Sequence, residues 1–301
     1  SLFIIVLCLC ALGGTRASAS KFEEQVDAHI TKDYTPKEPV SSDLKVLQKT
    51  TKLDSKRWIQ SFTKDDTYYY YMQLTNPYKG HLRITRVKYT GLGRYLKDHM
   101  DLMYFGHGTN LDCSTYNGVT YQWTGSDAAS GYKIGGSDVT RAITCFPYEK
   151  NGVLRSNGLE RIRIINKATG KYATNVYPAI NEKNNKLAVR FTYRGRQYFQ
   201  TYTLIQGTTI DPTHPLRTAR LPMTSGDFQG FDLYGSKTIY TIEGSPTKAF
   251  LKLYDKKRIF QPTILTTWNM STRKGVKRKI KGAKKLSFRE PEGVKVEKGT
   301  T

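Results

Sequence analysis

The sequence predicts an all-β fold, arranged as a β-propeller-like domain of about five blades. Three observations lead to this prediction. Short runs rich in Val, Ile, Thr, Tyr and Phe recur along the chain and are separated by Gly, Asn, Asp and Ser turns. No long segment with a 3.6-residue apolar period lies between these runs, which argues against a parallel α/β fold. A loose repeat of a turn, an aromatic strand and a Gly-Ser pair also recurs.

The first element of the chain is an apolar run that we expect to lie outside the fold. Residues 2–13 have the sequence LFIIVLCLCALG, which has the length of a signal-peptide core and is too short for a membrane span of ~20 residues. Ala17, Ser18 and Ala19 follow as a small-x-small cleavage pattern. Residues 1–19 are therefore predicted to be a signal peptide and the protein to be secreted and extracellular. An uncleaved membrane anchor is the less favoured alternative.

Three segments follow the predicted signal peptide. Residues 20–43 are polar and contain a Pro/Ser-rich stretch, so we expect a short N-terminal lead and linker. Residues 44–272 carry the β-rich runs and are predicted to form the propeller-like domain. Residues 273–301 are strongly basic and are predicted to form a C-terminal tail, either a flexible arm or an edge strand with a solvated face.

The predicted strands alternate with turn residues throughout the propeller-like domain. Asn117-Gly118 and Arg194-Gly195 lie between strand pairs and predict tight hairpin turns. The repeat is seen in TYNGVTYQWTGS and DLYGSKTIYTIEGS, with FTYRGRQYFQTYTL as a weaker copy. The predicted strands are residues 57–62, 68–74, 82–89, 100–105, 120–124, 142–146, 161–165, 186–193, 197–204, 238–243 and 249–254.

The charge balance indicates which classes of partner the protein could bind. The chain has 48 Lys and Arg residues against 25 Asp and Glu residues, a formal net charge of +23. This excess excludes an acidic solvating segment, and with 21 Tyr residues it favours a polyanionic or carbohydrate-bearing partner. The basic tail supplies the predicted anion-binding residues, which are Lys277, Arg278, Lys279, Lys281, Lys284 and Lys285.

Catalytic and metal-binding motifs are largely absent from the sequence. There is no HExxH, P-loop, GxSxG or GxGxxG pattern. His107 with Asp112 and Cys113 could be drawn as a metal site, but a hydrogen-bonded structural histidine is the favoured interpretation. We therefore predict no metal and no cofactor. Whether the protein is an enzyme is left open, with a non-enzyme favoured and a glycosidase, which needs two facing carboxylates, as the one plausible alternative.

Two cysteines remain after the predicted signal peptide. Cys113 and Cys145 are an even pair in a chain predicted to be secreted, so they are candidates for a disulfide. Two buried free thiols are the equally weighted alternative.

Aromatic residues supply the candidate sugar contacts. Tyr121 and Trp123 lie two apart on one predicted strand and therefore on the same face, where they could stack on sugar rings. The competing interpretation, favoured for most aromatic residues of the chain, places them in the core between blades.

Several of these segments resemble the helveticin J-like class III bacteriocins. The resemblance is carried by FGHGTNLD followed by TYQWTG, and by FQGFDLYGSKTIYTIEGS, and it extends over roughly residues 44 to 260. It implies a β-propeller-like domain and a secreted antibacterial protein that acts on the envelope of related Gram-positive bacteria. His107, Asp112, Gln229 and Asp232 lie in these segments and are predicted to line one rim.

The leading functional prediction is therefore a large secreted bacteriocin. Its expected partner is the bacterial cell envelope, through teichoic acid, anionic lipid or wall glycan, and a peripheral contact with the membrane is left open. A non-toxic cell-wall carbohydrate- or teichoic-acid-binding protein is one alternative, and a propeller glycosidase is another. Nucleic-acid binding is not expected, because the predicted export removes the chain from nucleic acid and no recognised binding module is present.

Overall fold

Four sheets packed side by side form the described part of the protein, so the predicted all-β, propeller-like fold is confirmed. The structure is a computed structural model. It describes residues 26–36, 53, 55, 57, 59–89, 95–128, 140–222, 227–245, 248, 252, 261–281 and 291–296. The predicted signal peptide, residues 1–19, lies outside the described residues.

The described residues contain nineteen strands and two short 3₁₀ helices, Ser156–Gly158 and Glu182–Asn184. In chain order the strands are β1 (His29–Ile30), β2 (Ile59–Lys64), β3 (Tyr69–Asn76), β4 (His81–Tyr89), β5 (Tyr95–Met103), β6 (Leu111–Tyr116), β7 (Val119–Ser126), β8 (Ala142–Pro147), β9 (Val153–Arg155), β10 (Ile165–Asn166), β11 (Lys171–Tyr172), β12 (Thr174–Asn181), β13 (Lys186–Tyr193), β14 (Arg196–Thr203), β15 (Arg217–Arg220), β16 (Phe228–Tyr234), β17 (Thr238–Glu243), β18 (Ile264–Asn269) and β19 (Lys274–Lys279).

The strands group into four blades within the described part of the chain. Blade 1 contains β2 to β5, blade 2 contains β6 to β8, blade 3 contains β12 to β15, and blade 4 contains β16 to β19. Consecutive strands within a blade are antiparallel. Two short strands are added in parallel, β9 beside β5 and β1 beside β19. Strands β10 and β11 form a separate pair.

The first strand of each blade lies next to the first strand of the following blade. Strand β2 contacts β6, β6 contacts β12, and β12 contacts β16. These first strands therefore lie closest to the propeller axis. The sequence analysis predicted β2 but missed β6, β12 and β16.

Two hairpin turns lie at the residues where the sequence predicts them. Asn117 and Gly118 join β6 to β7 with φ angles of 50° and 75°, and Arg194 and Gly195 join β13 to β14 with φ angles of 48° and 71°. Two successive positive φ angles are those of a type I′ turn, whose twist matches that of the flanking strands. Both predicted hairpins are confirmed.

The other predicted strands agree with the observed strand bounds to differing degrees. Residues 186–193 and 238–243 have the observed bounds of β13 and β17. The predicted strand 161–165 is wrong, because Ile162 makes only an isolated bridge to Ile143 and Ile165 begins the short β10. The predicted strand 249–254 lies outside the described residues, apart from Lys252.

The weak third copy of the repeat also differs from the other two. The first two copies join the first strand of a blade to its second, whereas the copy beginning at Phe191 joins the second strand to the third. The similarity of the third copy to the others therefore reflects hairpin chemistry, and the three copies do not mark equivalent positions in three blades.

The core lies between the blades, where sheet faces pack against one another. The face between blades 1 and 2 buries Tyr70, Met72, Ile84, Met100, Phe105 and Phe146. The face between blades 2 and 3 buries Trp123, Ile143, Val176, Leu187, Phe191 and Tyr202. The face between blades 3 and 4 buries Tyr177, Phe199, Phe231, Leu233, Ile239 and Trp268. Most of the large aromatic side chains are thus core residues, as expected.

The predicted N-terminal boundary needs correction, because part of the lead is folded onto the blades. The backbone N–H of Ala28 donates to Arg220 on blade 3, while the N–H groups of His29 and Thr31 donate to Arg273 and Gly275 on blade 4. The lead therefore joins the outermost strands of two neighbouring blades. A domain beginning at residue 44 leaves this segment out.

The predicted C-terminal boundary at residue 272 is also wrong. Residues 274–279 form β19, the outermost strand of blade 4, and residues 291–296 pack among the first strands of the blades. The edge-strand alternative describes residues 274–279, and the flexible-arm alternative does not. Packing favours the edge strand over the flexible arm, because Gly275 of β19 lies opposite Trp268 of β18 and under its indole ring.

Candidate functional site

Two buried carboxylates of the described chain meet a lysine ammonium at the propeller axis. Asp112 lies on β6 and Asp232 on β16, and each residue is 1% exposed. The Lys295 ammonium lies between them, with Nζ 2.6 Å from Asp112 Oδ1 and 3.5 Å from Asp232 Oδ1. We call these three residues the axial cluster.

Hydrogen bonds from several chain segments satisfy the two carboxylates. Asp112 accepts from the Thr63 hydroxyl at 2.8 Å and from the backbone N–H of Ile180 at 2.6 Å. Asp232 accepts from the backbone N–H of Val296 at 2.6 Å and from that of Leu233 at 2.8 Å. Blades 1 to 4 and the segment 291–296 therefore all contribute to one hydrogen-bonded network.

Burial and the neighbouring charges shift the pKa values of Asp232 and Lys295. Burial raises the pKa of Asp232 to about 7, and the nearby Asp112 carboxylate also raises it, against the lowering effect of Lys295. Burial alone would lower the pKa of Lys295, but the Asp112 and Asp232 carboxylates raise it above its ordinary value. The ammonium is therefore charged at neutral pH and offsets part of the negative charge of the two buried acids.

This arrangement does not offer the open carboxylate pair that a glycosidase uses. Glycoside hydrolysis requires two facing carboxyl groups with the sugar between them. In the axial cluster the Lys295 ammonium and the segment 291–296 occupy that position. The axial cluster thus stabilises the fold, and a catalytic role for Asp112 with Asp232 is not supported by its geometry.

The sequence selected Asp112 and Asp232 but placed them wrongly. They were predicted to line a rim with His107 and Gln229, whereas both are buried at the axis. His107 is half-buried before β6, and Gln229 is half-buried and donates from Nε2 to the Gly244 carbonyl at 3.2 Å. The structure brings Asp112 and Asp232 together through Lys295 and does not gather all four residues at one rim.

The prediction that Trp123 stacks on sugar is wrong. Its side chain is fully buried between blades 2 and 3, and its indole N–H donates to Ser114 Oγ at 2.9 Å. Tyr121 lies on the same face of β7 but is half-buried, near the end of the strand. Of this pair only Tyr121 retains a surface that a ligand could contact.

Of the two equally weighted alternatives for the cysteines, the structure has the free thiols and not the disulfide. Cys113 and Cys145 are free thiols, the first buried and the second half-buried. Cys113 lies on β6 and Cys145 on β8, with β7 between them. Two strand spacings amount to ~9.5 Å, which exceeds the ~7 Å limit between the Cα atoms of a disulfide. The geometry of the sheet therefore explains the free thiols.

The predicted anion-binding residues are partly brought together by β19. Lys277 and Lys279 of β19, and Lys281 two residues beyond its end, are exposed at alternate positions of the chain, and we call them the lysine row. Within the described part of the chain, none of their side chains forms an ion pair or a hydrogen bond. Arg278 lies on the opposite face and is half-buried. Lys284 and Lys285 lie outside the described residues.

The structure also reveals an aromatic cluster that the sequence analysis did not assemble. Arg86 lies between two tyrosine rings, with its Cζ 4.6 Å from the Tyr68 centroid and 4.4 Å from the Tyr148 centroid. Arg86 also forms two hydrogen bonds with Asp98, at 3.0 and 2.7 Å. We call Tyr68, Arg86, Asp98 and Tyr148 the tyrosine clamp. It holds two half-buried rings rigidly between blades 1 and 2.

The described residues contain neither a helix that could span a membrane nor a metal-binding cluster of side chains. None of the helices there is long and apolar enough to cross a membrane. No group of three or more His, Cys, Asp or Glu side chains in the described residues could hold a metal ion.

Comparisons with known proteins place the fold in a family. The family model described as the phage 5-bladed β-propeller receptor-binding platform domain matches residues 58–296. This match includes β19 and the segment 291–296, in agreement with the corrected C-terminal boundary. No curated protein matches the sequence.

Two solved structures show distant similarity. The tail fiber of Staphylococcus aureus phage P68 is 18% identical with a TM-score of 0.48, and the match covers 73% of this chain and 38% of that chain. A mutant apocarotenoid oxygenase from Synechocystis is 11% identical with a TM-score of 0.30, and the match covers 70% of this chain and 46% of that chain. The chain thus matches less than half the length of either structure.

Proposed function

Because the chain belongs to the phage five-bladed β-propeller receptor-binding platform family, we propose that it binds an anionic glycopolymer on a bacterial cell surface. The family supports attachment to a surface receptor. The net charge of +23 supports an anionic one, since a strongly cationic surface attracts polyanions over several ångströms of solvent. Teichoic acid, a wall polymer of repeating phosphates, is the partner class that fits best.

The lysine row is the observation that carries this proposal. Lys277, Lys279 and Lys281 are exposed along β19 and just beyond its end, and they have no side-chain partner among the described residues. Alternate residues of a strand lie ~6.7 Å apart on the same face. Three ammonium groups at this spacing can each contact a separate phosphate of a flexible polymer with a short repeat.

Several other surface charges of the described residues are already paired, which distinguishes them from the lysine row. Asp127 binds both Arg161 and Arg163 at 2.9 Å, and Asp101 binds Arg83 at 2.7 Å. A paired arginine must give up its carboxylate before it can bind a phosphate. An unpaired lysine gives up only water, so the lysine row is the more favourable phosphate contact.

The test is a binding measurement on purified cell walls with and without teichoic acid. We expect the protein to bind intact walls at low salt and to lose affinity as salt rises, because screening weakens contacts between exposed charges. Replacement of Lys277, Lys279 and Lys281 by Ser should weaken binding about tenfold and reduce the salt dependence. Walls stripped of teichoic acid should bind poorly.

A matched control removes the same charge elsewhere. Lys167, Lys171 and Lys183 are exposed and lie in and near blade 3. Their replacement by Ser lowers the net charge equally and should change affinity much less than the lysine-row variant. Equal losses from both triple variants would show a diffuse charge effect. Unchanged binding to stripped walls would contradict the proposal and favour sugar stacking.

The tyrosine clamp and Tyr121 are the surfaces that sugar stacking would use. Aromatic rings held rigidly lose little entropy when a sugar packs on them. If binding survives removal of teichoic acid, Tyr68→Ala and Tyr121→Ala should then weaken it, whereas the lysine-row variant should not.

Antibacterial killing is a separate proposal that rests on the resemblance to class III bacteriocins. Binding to a wall polymer does not require toxicity, so the two proposals are tested apart. Toxicity is tested by a growth-inhibition assay on Gram-positive cells that bind the protein. Cells that bind the protein and continue to grow would support a non-toxic wall-binding protein.

A further inference from the structure

The segment 291–296 lies along the propeller axis and contacts more than one blade. A Cβ at Gly230 of β16 would lie 2.8 Å from Gly293 Cα, and a Cβ at Gly293 would lie 3.6 Å from Ser61 Cα of β2. Pro291 lies close to blade 4, because a Cβ added at Gly244 would be 3.0 Å from Pro291 Cγ. The segment therefore lies between blade 4 and blade 1.

Backbone conformation makes this close approach specific. Gly230 and Gly293 have φ angles of 152° and 117°, which L residues with side chains rarely adopt. The missing Cβ of Gly230 leaves room for the Cα of Gly293, and the missing Cβ of Gly293 faces Ser61 and Phe62 of β2. Two chain segments can thus pass in backbone contact at the axis, and the sequence FQGFDLY of β16 carries a glycine where a strand would otherwise prefer a β-branched residue.

Lys295 also holds the segment 291–296 at the axis, through its contacts with two carboxylates. Its ammonium is the cation that faces the buried Asp112 and Asp232 carboxylates in the described structure. The following residue, Val296, donates its backbone N–H to Asp232. The segment therefore meets blades 2 and 4 through charge and blades 1 and 4 through backbone contact.

We propose that the axis contains a binding site for a primary ammonium, and that Lys295 is its built-in ligand. Asp112, Asp232 and the Ile180 carbonyl, which lies 3.5 Å from Nζ, form the site. Occupation of the site holds the segment 291–296 between blades 4 and 1 and closes the ring. This site is distinct from the lysine row and does not depend on which polymer the surface binds.

Chemical rescue of a truncated side chain tests the proposal. Lys295→Ala removes the chain beyond Cβ, which corresponds to n-propylammonium, and leaves two buried carboxylates without their cation. We expect the melting temperature to fall by about 10 °C. Added n-propylammonium chloride should restore most of this loss. Sodium chloride and tetramethylammonium chloride at the same ionic strength should not, because neither can donate N–H groups to the carboxylates.

A second variant separates charge from packing. Lys295→Met keeps the apolar length of the side chain but not the charge, so it should melt below the wild type and should not respond to n-propylammonium. Combining Lys295→Met with Asp232→Asn removes one unpaired carboxylate and should recover part of the loss.

Three outcomes would overturn the proposal. They are wild-type melting of Lys295→Met, equal rescue of Lys295→Ala by tetramethylammonium, and no rescue of Lys295→Ala by n-propylammonium. If Lys295→Ala is unfolded at room temperature, the same comparison is made on the recovery of its β-sheet circular dichroism signal as each salt is added.

Discussion

The Trp268 ring of β18 covers the Cα of Gly275 on β19, so that a side chain at residue 275 would overlap the ring. The two residues are directly opposite each other in the sheet, and Trp268 is fully buried against blade 3. Gly275 thus lets the outermost strand of blade 4 lie flat over the largest side chain of its inter-blade core.

We expect Gly275→Ala to destabilise the protein by about 1–3 kcal/mol, because the added methyl group forces the indole or the strand to move. Urea unfolding followed by tryptophan fluorescence measures this change. Gly158→Ala is the control, since an added Cβ there meets nothing within 4 Å and its φ angle is not in the left-handed region. A stability loss as large in the control would contradict the explanation.

Trp123 should affect stability and leave polymer binding unchanged. Trp123→Phe removes the indole N–H that donates to Ser114 Oγ and leaves a smaller ring in the core between blades 2 and 3. We expect a loss of about 1–3 kcal/mol in the free energy of unfolding. Affinity for cell walls, measured under conditions where the variant is folded, should match the wild type. A selective loss of affinity would restore Trp123 as a stacking residue.

The two thiols should be unreactive in the folded protein. Burial raises the pKa of Cys145 to about 12, and burial together with the Asp112 carboxylate raises that of Cys113 still further. Because the thiolate is the reactive form, a thiol reagent at pH 8 should label neither residue until denaturant is added. Denatured protein that lacks residues 1–19, and with them Cys8 and Cys10, should then take up two labels without reductant. The absence of any label would indicate a disulfide between Cys113 and Cys145.

Arg86→Met tests the tyrosine clamp through its pH dependence. Burial alone would raise the pKa of Asp98, but hydrogen bonds from Arg86 and Tyr148 lower it below its ordinary value of 3.8. A carboxyl group with a lowered folded pKa adds stability above its ordinary pKa, and this stability is lost as the pH falls through the folded value. We expect Arg86→Met to cost about 2 kcal/mol at neutral pH.

The difference between Arg86→Met and the wild type should shrink as the pH falls below 3.8, in urea unfolding at each pH. Arg161→Met is the matched control, since Asp127 keeps its ion pair with Arg163 in that variant. It should change stability by less than about 0.5 kcal/mol. A difference for Arg86→Met that is constant across pH would indicate lost packing without an electrostatic contribution.

Local chemistry explains which parts of the fold could be predicted from the sequence. The hairpins at Asn117-Gly118 and Arg194-Gly195 were found because a type I′ turn imposes its own residue preferences. Strands β13 and β17 were found because they carry nearly unbroken runs of apolar, β-branched and aromatic residues. Such signals depend on residues that are close together in the sequence.

The first strands of blades 2, 3 and 4 lie at the axis, and they were missed because their composition differs from that of typical strands. Strand β6 contains Asp112, β12 contains Pro178, and β16 contains Gly230 and Asp232. Acidic residues, proline and glycine weaken the strand signal, yet each is accommodated at the axis. Lys295 was missed because it lies in a basic stretch, where its apolar neighbours Val294 and Val296 were the one local sign of burial.

The lysine row has a second consequence that concerns self-association. Within the described residues β1 pairs only with Lys274 and Gly275 of β19 and leaves the rest of that strand at the edge of its sheet. An exposed edge strand invites pairing with the edge of another molecule, and lysines along it oppose such pairing by mutual repulsion. The lysine row therefore opposes edge-to-edge pairing between copies of the protein. We expect a variant that lost these charges to self-associate more readily.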